Sequence, residues 1–451
     1  MTAQTLLKPT ASTERISSMD IIRGVSLLGI LLMNITGMGL FKAYSDPSNS
    51  GGATGLNLTV WWITNLFFEG TMRGMFSMLF GAGILLFIGG KSKNTEGSLV
   101  TDLYFRRLLW MLLFGVIHCY LLLWSGEILY AYSIVGMFAF SFRHLNPKRL
   151  IVAATVLFVI AATLNVKDDY QLHKTAATAT AAKIKKSNGQ TLTKLETKAI
   201  EKWDEKVKED KPTPQRVQEE IKERTKGYFS IVMYRAPLNQ VIESLYLYRY
   251  DIWDILAMML LGMAFLKNGI LKAAKSNRYY LTMALIGYAI GITTNYFETS
   301  YIQAHHFDIL AFSRTSLTYD IGRVATTCGH IALIMLFVKS GWLLFLQKSL
   351  AAVGQMALTN YIMHTIITDV IFLGFGFALF GKFQRYELYY IVFAIWIFQL
   401  IISPIWLKYF RFGPLEWLWR SLTYWKMQPM RRTTISSGVA APNVEAHAVL
   451  R

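Results

Sequence analysis

His118 and Glu127 bracket a short turn in a strongly apolar run, with His118 inside FGVIHCYLLLW and Glu127 just after it. A histidine beside a carboxylate can serve as a general base, because the carboxylate sets the tautomer and stabilises the imidazolium. The competing reading is that His118 hydrogen-bonds a neighbouring helix while Glu127 faces water. A second group lies in VGQMALTNYIMHTIITDVIF, which holds Gln355, Thr359, Asn360, His364 and Asp369. Asn360 and His364 are four apart and share a helix face, while Asp369 is too deep in the apolar run for an ordinary surface carboxylate. Interhelical hydrogen bonding is the alternative for Asn360 and Thr359.

Other charged residues fall into pairs. Asp20, Arg23 and Asn34 occupy a narrow sector of the first apolar helix, and Arg107 lies eleven residues before His118 on nearly the same face as that histidine. Asp251 and Asp254 stand at i and i+3; such carboxylates can split acid and base roles, hold a cation, or simply favour a helix N-terminus. Asp320 and Arg323 repeat that spacing, with His330 two turns further on, and a pair of this kind is usually structural.

These residues need membrane helices to hold them. The 451-residue chain is 53% hydrophobic, and several windows reach the length of a bilayer crossing. The pattern predicts an all-α polytopic membrane protein with a polar internal cavity and about ten crossings. They fall at 19–40, 73–90, 105–124, 127–143, 149–166, 250–267, 279–297, 320–339, 353–379 and 386–409. Segment 57–70 is short and Trp-rich, which suits an interfacial or re-entrant piece. No cleaved signal peptide is expected in the polar segment 1–18. Lys91, Lys93, Arg106, Arg107, Arg143, Lys148, Arg149, Lys267, Lys339 and the basic tail 426–451 all fall on one side, predicted cytoplasmic. Both termini are then inside a bacterial inner membrane.

The expected organisation is an N-terminal bundle over 19–166, a charged extracytoplasmic insertion over 167–249 and a C-terminal bundle over 250–425. Within the insertion, KLETKAIEKWDEKVKED reads as a solvated helix and TAATATAAK as a linker. The net charge of +18 points to anionic lipid, since no nucleic-acid motif accompanies it. Cys119 and Cys328 lie in apolar helices, where neither a disulfide nor a metal site is expected.

GQMALTNYIMHT and FRFGPLEWLWRSLTYW, within Leu350 to Trp425, closely resemble the YeiB-like family, whose C-terminal region is the domain of unknown function 418. MDIIRGVSLLGILLMNI, FSMLFGAG, HCYLLLWSGEILYAYSIVG and DIWDILAMMLLGMAFLKNG also resemble blocks of that family. The family looks distantly similar to transmembrane acyltransferases, which share an acid-x-x-Arg-Gly opening matched here by Asp20, Arg23 and Gly24, with Asn34 beyond it. That resemblance implies transfer of an acyl group from a cytoplasmic donor such as acyl-CoA to a sugar, lipid or amine acceptor across the membrane, with no covalently bound cofactor.

Two departures accompany it: FKAYSDPSNSGGATG lacks the histidine those enzymes use, and Glu127 and His364 stand where relatives usually show Asp and Gln. On this reading Arg23, Arg106 and Arg107 hold the donor, His118 with Glu127 or His364 supplies the base, and Asn34 and Asn360 orient the acyl carbonyl. Asp20, Asp251, Asp254, Asp320, Arg323, His330 and Asp369 line the polar interior. The alternatives are a transporter or channel, in which Asp369 or His364 carries protons, and a non-catalytic membrane protein. The sequence displays no inverted repeat or broken-helix pair.

Overall fold

The computed structural model describes residues 17–89 and 97–432. Residues 1–16, the loop cations Lys91 and Lys93, and the tail from 433 onward lie outside the described residues. The described chain is helical apart from turns and one isolated bridge between Phe410 and Arg431. Its elements begin with α1 (Ser17–Gly39), α2 (Gly55–Phe67), α3 (Thr71–Gly89), α4 (Gly97–Tyr120), α5 (Leu129–Ala139) and α6 (Pro147–Ser187). Next come α7 (Lys194–Asp210), α8 (Pro214–Arg224), α9 (Tyr228–Val241) and a π-helical stretch over Ile242–Asp251. The remainder is α10 (Ile252–Lys267), α11 (Asn277–Ala304), α12 (Ile309–Thr315), α13 (Tyr319–Ser340), α14 (Leu344–Gln355), α15 (Ala357–Phe372), α16 (Arg385–Tyr409) and α17 (Pro414–Tyr424).

Five stretches among the described residues are long and apolar enough to cross a membrane: α1, α2 with α3, α6, α13 and α16. α1 is the axis, buried along most of its length and packed on α3, α14, α15 and α16. Small residues permit the closest approaches. A Cβ on Gly354 of α14 would lie 1.9 Å from the Asp20 carbonyl of α1, and one on Gly262 of α10 would lie 1.8 Å from the Met78 carbonyl of α3. Both positions exclude any side chain, as in small-residue contacts between membrane helices.

Two expectations need correction. The crossing predicted at 353–379 is not one helix: it breaks at Met356 and ends at Phe372. The break frees the Leu358 and Thr359 amides, and both donate to Glu416 Oε1 of α17, at 2.6 and 3.1 Å. A carboxylate from a separate helix thus caps α15, which local sequence cannot reveal.

The second correction concerns the insertion. The predicted boundary at 166 falls inside α6, a continuous helix of 41 residues, and the supposed linker TAATATAAK is part of it. Alanine favours helix, and the hydroxyls of Thr175, Thr178 and Thr180 bond back to carbonyls four residues earlier. Ala176, Ala179 and Ala182 are buried, and α7 packs alongside through Lys183–Asp204 and Lys185–Glu196, each at 2.6 Å. α7 itself has no buried residue and carries a capping box between Thr193 and Glu196.

The insertion also grips the bundle. Lys211 pairs with Asp46 in the α1–α2 loop, and Asn49 Nδ2 donates to the Asp210 carbonyl at 2.9 Å. Tyr228 Oη donates to the Leu121 carbonyl at 2.6 Å, and the Gly374 amide to the Arg224 carbonyl at 3.0 Å. The bundle therefore has an insertion end and, opposite it, a basic end where Arg23, Arg107 and α17 lie.

Candidate functional site

A cavity of about 460 Å³ opens among α1, α3, α4, α5, the α14–α15 break and α17. Its walls are largely apolar, with Leu79, Phe80, Leu108 and Met111 among them. Three guanidiniums, those of Arg23, Arg107 and Arg420, line its basic end together with the carboxylates of Asp20 and Glu416. Arg23 Nη1 pairs with Asp20 at 2.8 Å, and Glu416 is engaged in capping α15. Arg107 lies 3.9 Å over the Trp419 ring, whose Nε1 donates to the Arg107 carbonyl at 2.9 Å. Among the described residues no carboxylate pairs with Arg107. An apolar chamber with cations at one end suits an amphiphile carrying an anionic head.

Arg106 does not share this position. It points away from the cavity, donating to the Thr423 carbonyl at 3.4 Å with its guanidinium 5.7 Å from the Trp425 ring. Consecutive helical residues diverge by about 100°, so only one of the two adjacent arginines can face inward. Asn34, half-buried on α1, does not line the cavity either.

The far end of the cavity is closed by Tyr132 and Tyr361. Behind Tyr361 stands His118, fully buried, with the two rings edge to face at 4.9 Å. His118 Nε2 meets Thr365 Oγ1 at 2.8 Å, and Nδ1 lies 3.7 Å from Glu127 Oε2. That carboxylate also accepts from the Leu129 and Tyr130 amides at 3.0 and 2.6 Å, holding the start of α5. Histidine and glutamate are brought together, but behind the cavity wall.

His364 Nε2 meets Gln399 Oε1 of α16 at 2.9 Å, and Gln399 Nε2 donates to the Asn360 carbonyl at 3.1 Å. Asn360 Nδ2 donates to the Val353 carbonyl and to Ser403 Oγ, at 3.2 and 3.1 Å. Asn360 and His364 are therefore fully buried against α16 and do not line the cavity. Gln399 and Ser403 are partners the sequence reading passed over, although Gln399 is conspicuous within IVFAIWIFQLIISPIW. Asp369, half-buried at the insertion end, is near Arg235 and Arg224 of the insertion.

The remaining predicted residues converge elsewhere. Arg73 of α3 bridges Asp251 and Asp254, each at 2.9 Å, and Arg323 joins Asp254 to Asp320, the latter at 2.6 Å. Two pairs predicted separately thus form one charge knot, and Glu69 accepts from Tyr319 Oη at 3.2 Å beside it. Arg73 was missed; its signal was a lone arginine in the apolar run TMRGMFSMLF. The knot touches the cavity wall, since Tyr132 Oη donates to the Arg73 carbonyl at 3.2 Å. His330 lies apart, with Nδ1 at 2.9 Å from Tyr288 Oη and Nε2 at 2.7 Å from the Phe67 carbonyl, both nitrogens engaged.

Apolar spanning helices around an internal cavity with buried ion pairs define a helical membrane protein. A family model described as a protein of unknown function (DUF418) matches residues 265–426. The chain is 30% identical over 426 residues to the uncharacterized protein YeiB of Escherichia coli, covering 91% of this chain and 96% of YeiB. It is 27% identical over 441 residues to the uncharacterized protein YxaH of Bacillus subtilis, covering 95% of this chain and 99% of that relative. No solved structure matches. The chain belongs to the YeiB-like family.

Proposed function

We propose that this protein is a membrane-embedded acyltransferase that takes its donor, an acyl-CoA or similar acyl thioester, from the basic end. In this reading the ten predicted crossings traverse the inner membrane, the basic end with both termini is cytoplasmic, and the acceptor arrives at the insertion end. The observation that carries the proposal is the cavity: Arg23, Arg107 and Arg420 at one end, and Tyr361 backed by His118 and Glu127 at the other. The guanidiniums hold the donor phosphates, and the apolar walls take the acyl and pantetheine portion.

His118 acts through Tyr361 rather than on the substrate directly. The acceptor hydroxyl or amine is hydrogen-bonded by the Tyr361 phenol, and His118, held by Thr365 and Glu127, packs against that ring from behind and positions it. The acceptor atom bonds to the thioester carbonyl carbon, the carbon–sulfur bond breaks, and the departing thiolate takes up the proton the acceptor loses. Asn360 and His364 position α15 against α16 in this scheme.

Acetyl-CoA binding to the purified protein, followed by product formation, is the test. Arg107→Ala should weaken donor binding at least ~10-fold, the loss of one charge-assisted contact. Tyr361→Phe should bind donor normally and lose turnover. Absence of binding at ~1 mM acetyl-CoA would sink the proposal.

The break at Met356 favours a second reading, a transporter, because discontinuous helices recur at substrate sites of transporters. Solute uptake into proteoliposomes that collapses with the proton gradient, with no acyl transfer, would select it.

A further inference from the structure

The helix ends around the α10–α11 and α13–α14 connections are uniformly basic. Lys267, Lys272, Lys275, Arg278, Lys339 and Lys348 fall within 261–280 and 331–350, stretches that contain no aspartate or glutamate. Hydrogen bonds tie these connections to the basic end of the bundle. Ser18 Oγ at the start of α1 donates to the Leu271 carbonyl at 2.7 Å, and Lys267 Nζ to the Arg143 and Leu145 carbonyls at 2.8 and 2.6 Å. None of the six cations pairs with a carboxylate among the described residues.

A groove of about 420 Å³ begins beside these cations and runs along α11 and α13. Tyr279 lines its basic end, with Lys275 Nζ 5.8 Å from the Tyr279 ring. The two helices are antiparallel and close: a Cβ on Gly287 would lie 2.7 Å from the Ala325 carbonyl oxygen, and one on Gly291 3.0 Å from that of Gly322. The small residues Gly287, Ala325 and Cys328 leave the depression, and the larger Tyr279, Ile286 and Ile290 border it. From Tyr279 to Ile290 is roughly 16 Å along α11, about half the ~30 Å hydrocarbon thickness. That is the depth of one leaflet.

The surroundings place the groove's basic end at headgroup height. Leu281, Leu285, Ile286 and Ile290 of α11 are all exposed, as lipid-facing side chains are, and just past α13 so are Trp342, Leu344 and Phe345, the kind of residue that marks a membrane interface. Lys339 stands eleven residues after Cys328 on nearly the same face of α13, and its Nζ donates to the Lys275 carbonyl at 2.5 Å. Lys275, Arg278 and Lys339 therefore gather at the head of the groove. An apolar slot one leaflet deep, headed by cations without carboxylates, matches a lipid whose phosphate carries an uncompensated charge. A zwitterionic lipid would bring an ammonium to the same cations. A second copy docked here by two-fold symmetry would set these cations against their own counterparts.

We propose that the α11–α13 groove binds one anionic phospholipid from the leaflet at the basic end, its phosphate on Arg278 and Lys339 and an acyl chain laid from Tyr279 to Ile290. The groove shares no lining residue with the donor cavity, so the site stands independently of the acyl-transfer reading. Bound lipid then splints α11 to α13, the helix that carries Asp320 and Arg323.

The test is native mass spectrometry of the full chain released from nanodiscs of phosphatidylglycerol and phosphatidylcholine in equal amounts. One phosphatidylglycerol per chain should persist, with at least ~10-fold preference over phosphatidylcholine. Arg278→Gln combined with Lys339→Gln, and separately Cys328→Phe to fill the groove, should each lower that occupancy at least ~10-fold. Lys148→Gln combined with Arg149→Gln removes the same charge at the same end, from exposed positions that do not line the groove, and should leave it unchanged. Melting temperature in lipid-free detergent reports whether each variant is folded; should Cys328→Phe fail to fold, the two double variants decide. Equal retention of the two lipids, full retention in the Arg278 and Lys339 double variant, or equal loss in the Lys148 and Arg149 double variant overturns the proposal. A dimer that holds no lipid also overturns it and gives the groove to a second copy of the chain.

Discussion

Two polar regions of the bundle are built on opposite rules. In the knot on α3, α10 and α13, every aspartate has a guanidinium partner, and Arg73 and Arg323 each serve two. In the seam on α4, α9 and α15, neutral and charged side chains share few bonds and leave several atoms unanswered. Apart from Arg323 Nε, which has no hydrogen-bond partner among the described residues, the knot is closed, and such a network fixes helices to one another because removing any member strands a buried charge. An open one leaves hydrogen-bonding capacity for something else. The knot is accordingly structural and the seam is where chemistry belongs.

The comparison can be broken most directly at the knot. Arg323→Met should destabilise the protein by about 3–5 kcal/mol, since Asp254 and Asp320 lose their buried cation; thermal unfolding in detergent measures it. A variant that melted like the wild type would remove the distinction between the regions. At the α15–α16 contact beside the seam, His364→Leu should cost only about 1–2 kcal/mol, because its single side-chain partner is the neutral Gln399 amide, by the same measurement.

Gly354→Val tests the frame that holds both. With a Cβ 1.9 Å from the Asp20 carbonyl, α14 must move off α1, costing about 1–3 kcal/mol and reshaping the basic end of the cavity. Donor binding should fall with the melting temperature. Glu416→Gln should cost about 1 kcal/mol through the α15 cap, visible as faster hydrogen exchange at Leu358 and Thr359.

The smallest effect lies in the insertion. A hydrogen bond from Lys185, aided by the Thr193 backbone and side chain, draws the Glu196 carboxyl down to about 2. The capping box is therefore fully formed above the unfolded carboxylate pKa of about 4.3 and is lost as pH falls toward 2. Exchange at the Thr193 amide against pH should follow that window, with the knot and seam unaffected above it.

Much of this was legible from the chain, and what was not has a common cause. Periodic apolar runs located α1, α13 and α16, because local hydrophobicity is what those helices are made of. His118 and Glu127 were legible as a pair because only a turn separates them. The two halves of the knot were visible at i and i+3, but Arg323 joins them by reaching Asp254, 69 residues away, Arg73 braces Asp251 and Asp254 from 178 and 181 residues away, and nothing local announces either. The Glu416 cap spans 58 residues and was hidden for the same reason. The insertion misled through composition: Arg235 and Asn239 of α9, both buried, resemble a solvated face until a bundle is laid against them.

α6 has a mechanical consequence. At about 1.5 Å per residue, its 41 residues reach roughly 60 Å, twice the ~30 Å hydrocarbon thickness. It is a rigid mast: the half within the bundle is clamped to α10, and the half beyond carries α7. Lys211 and Asn49 tie the other end of α7 to the α1–α2 loop, closing a truss around the mouth of the bundle. A tilt of the mast would act on α10 and the charged residues it carries, so force applied to the far half of α6 has a stiff path into the bundle.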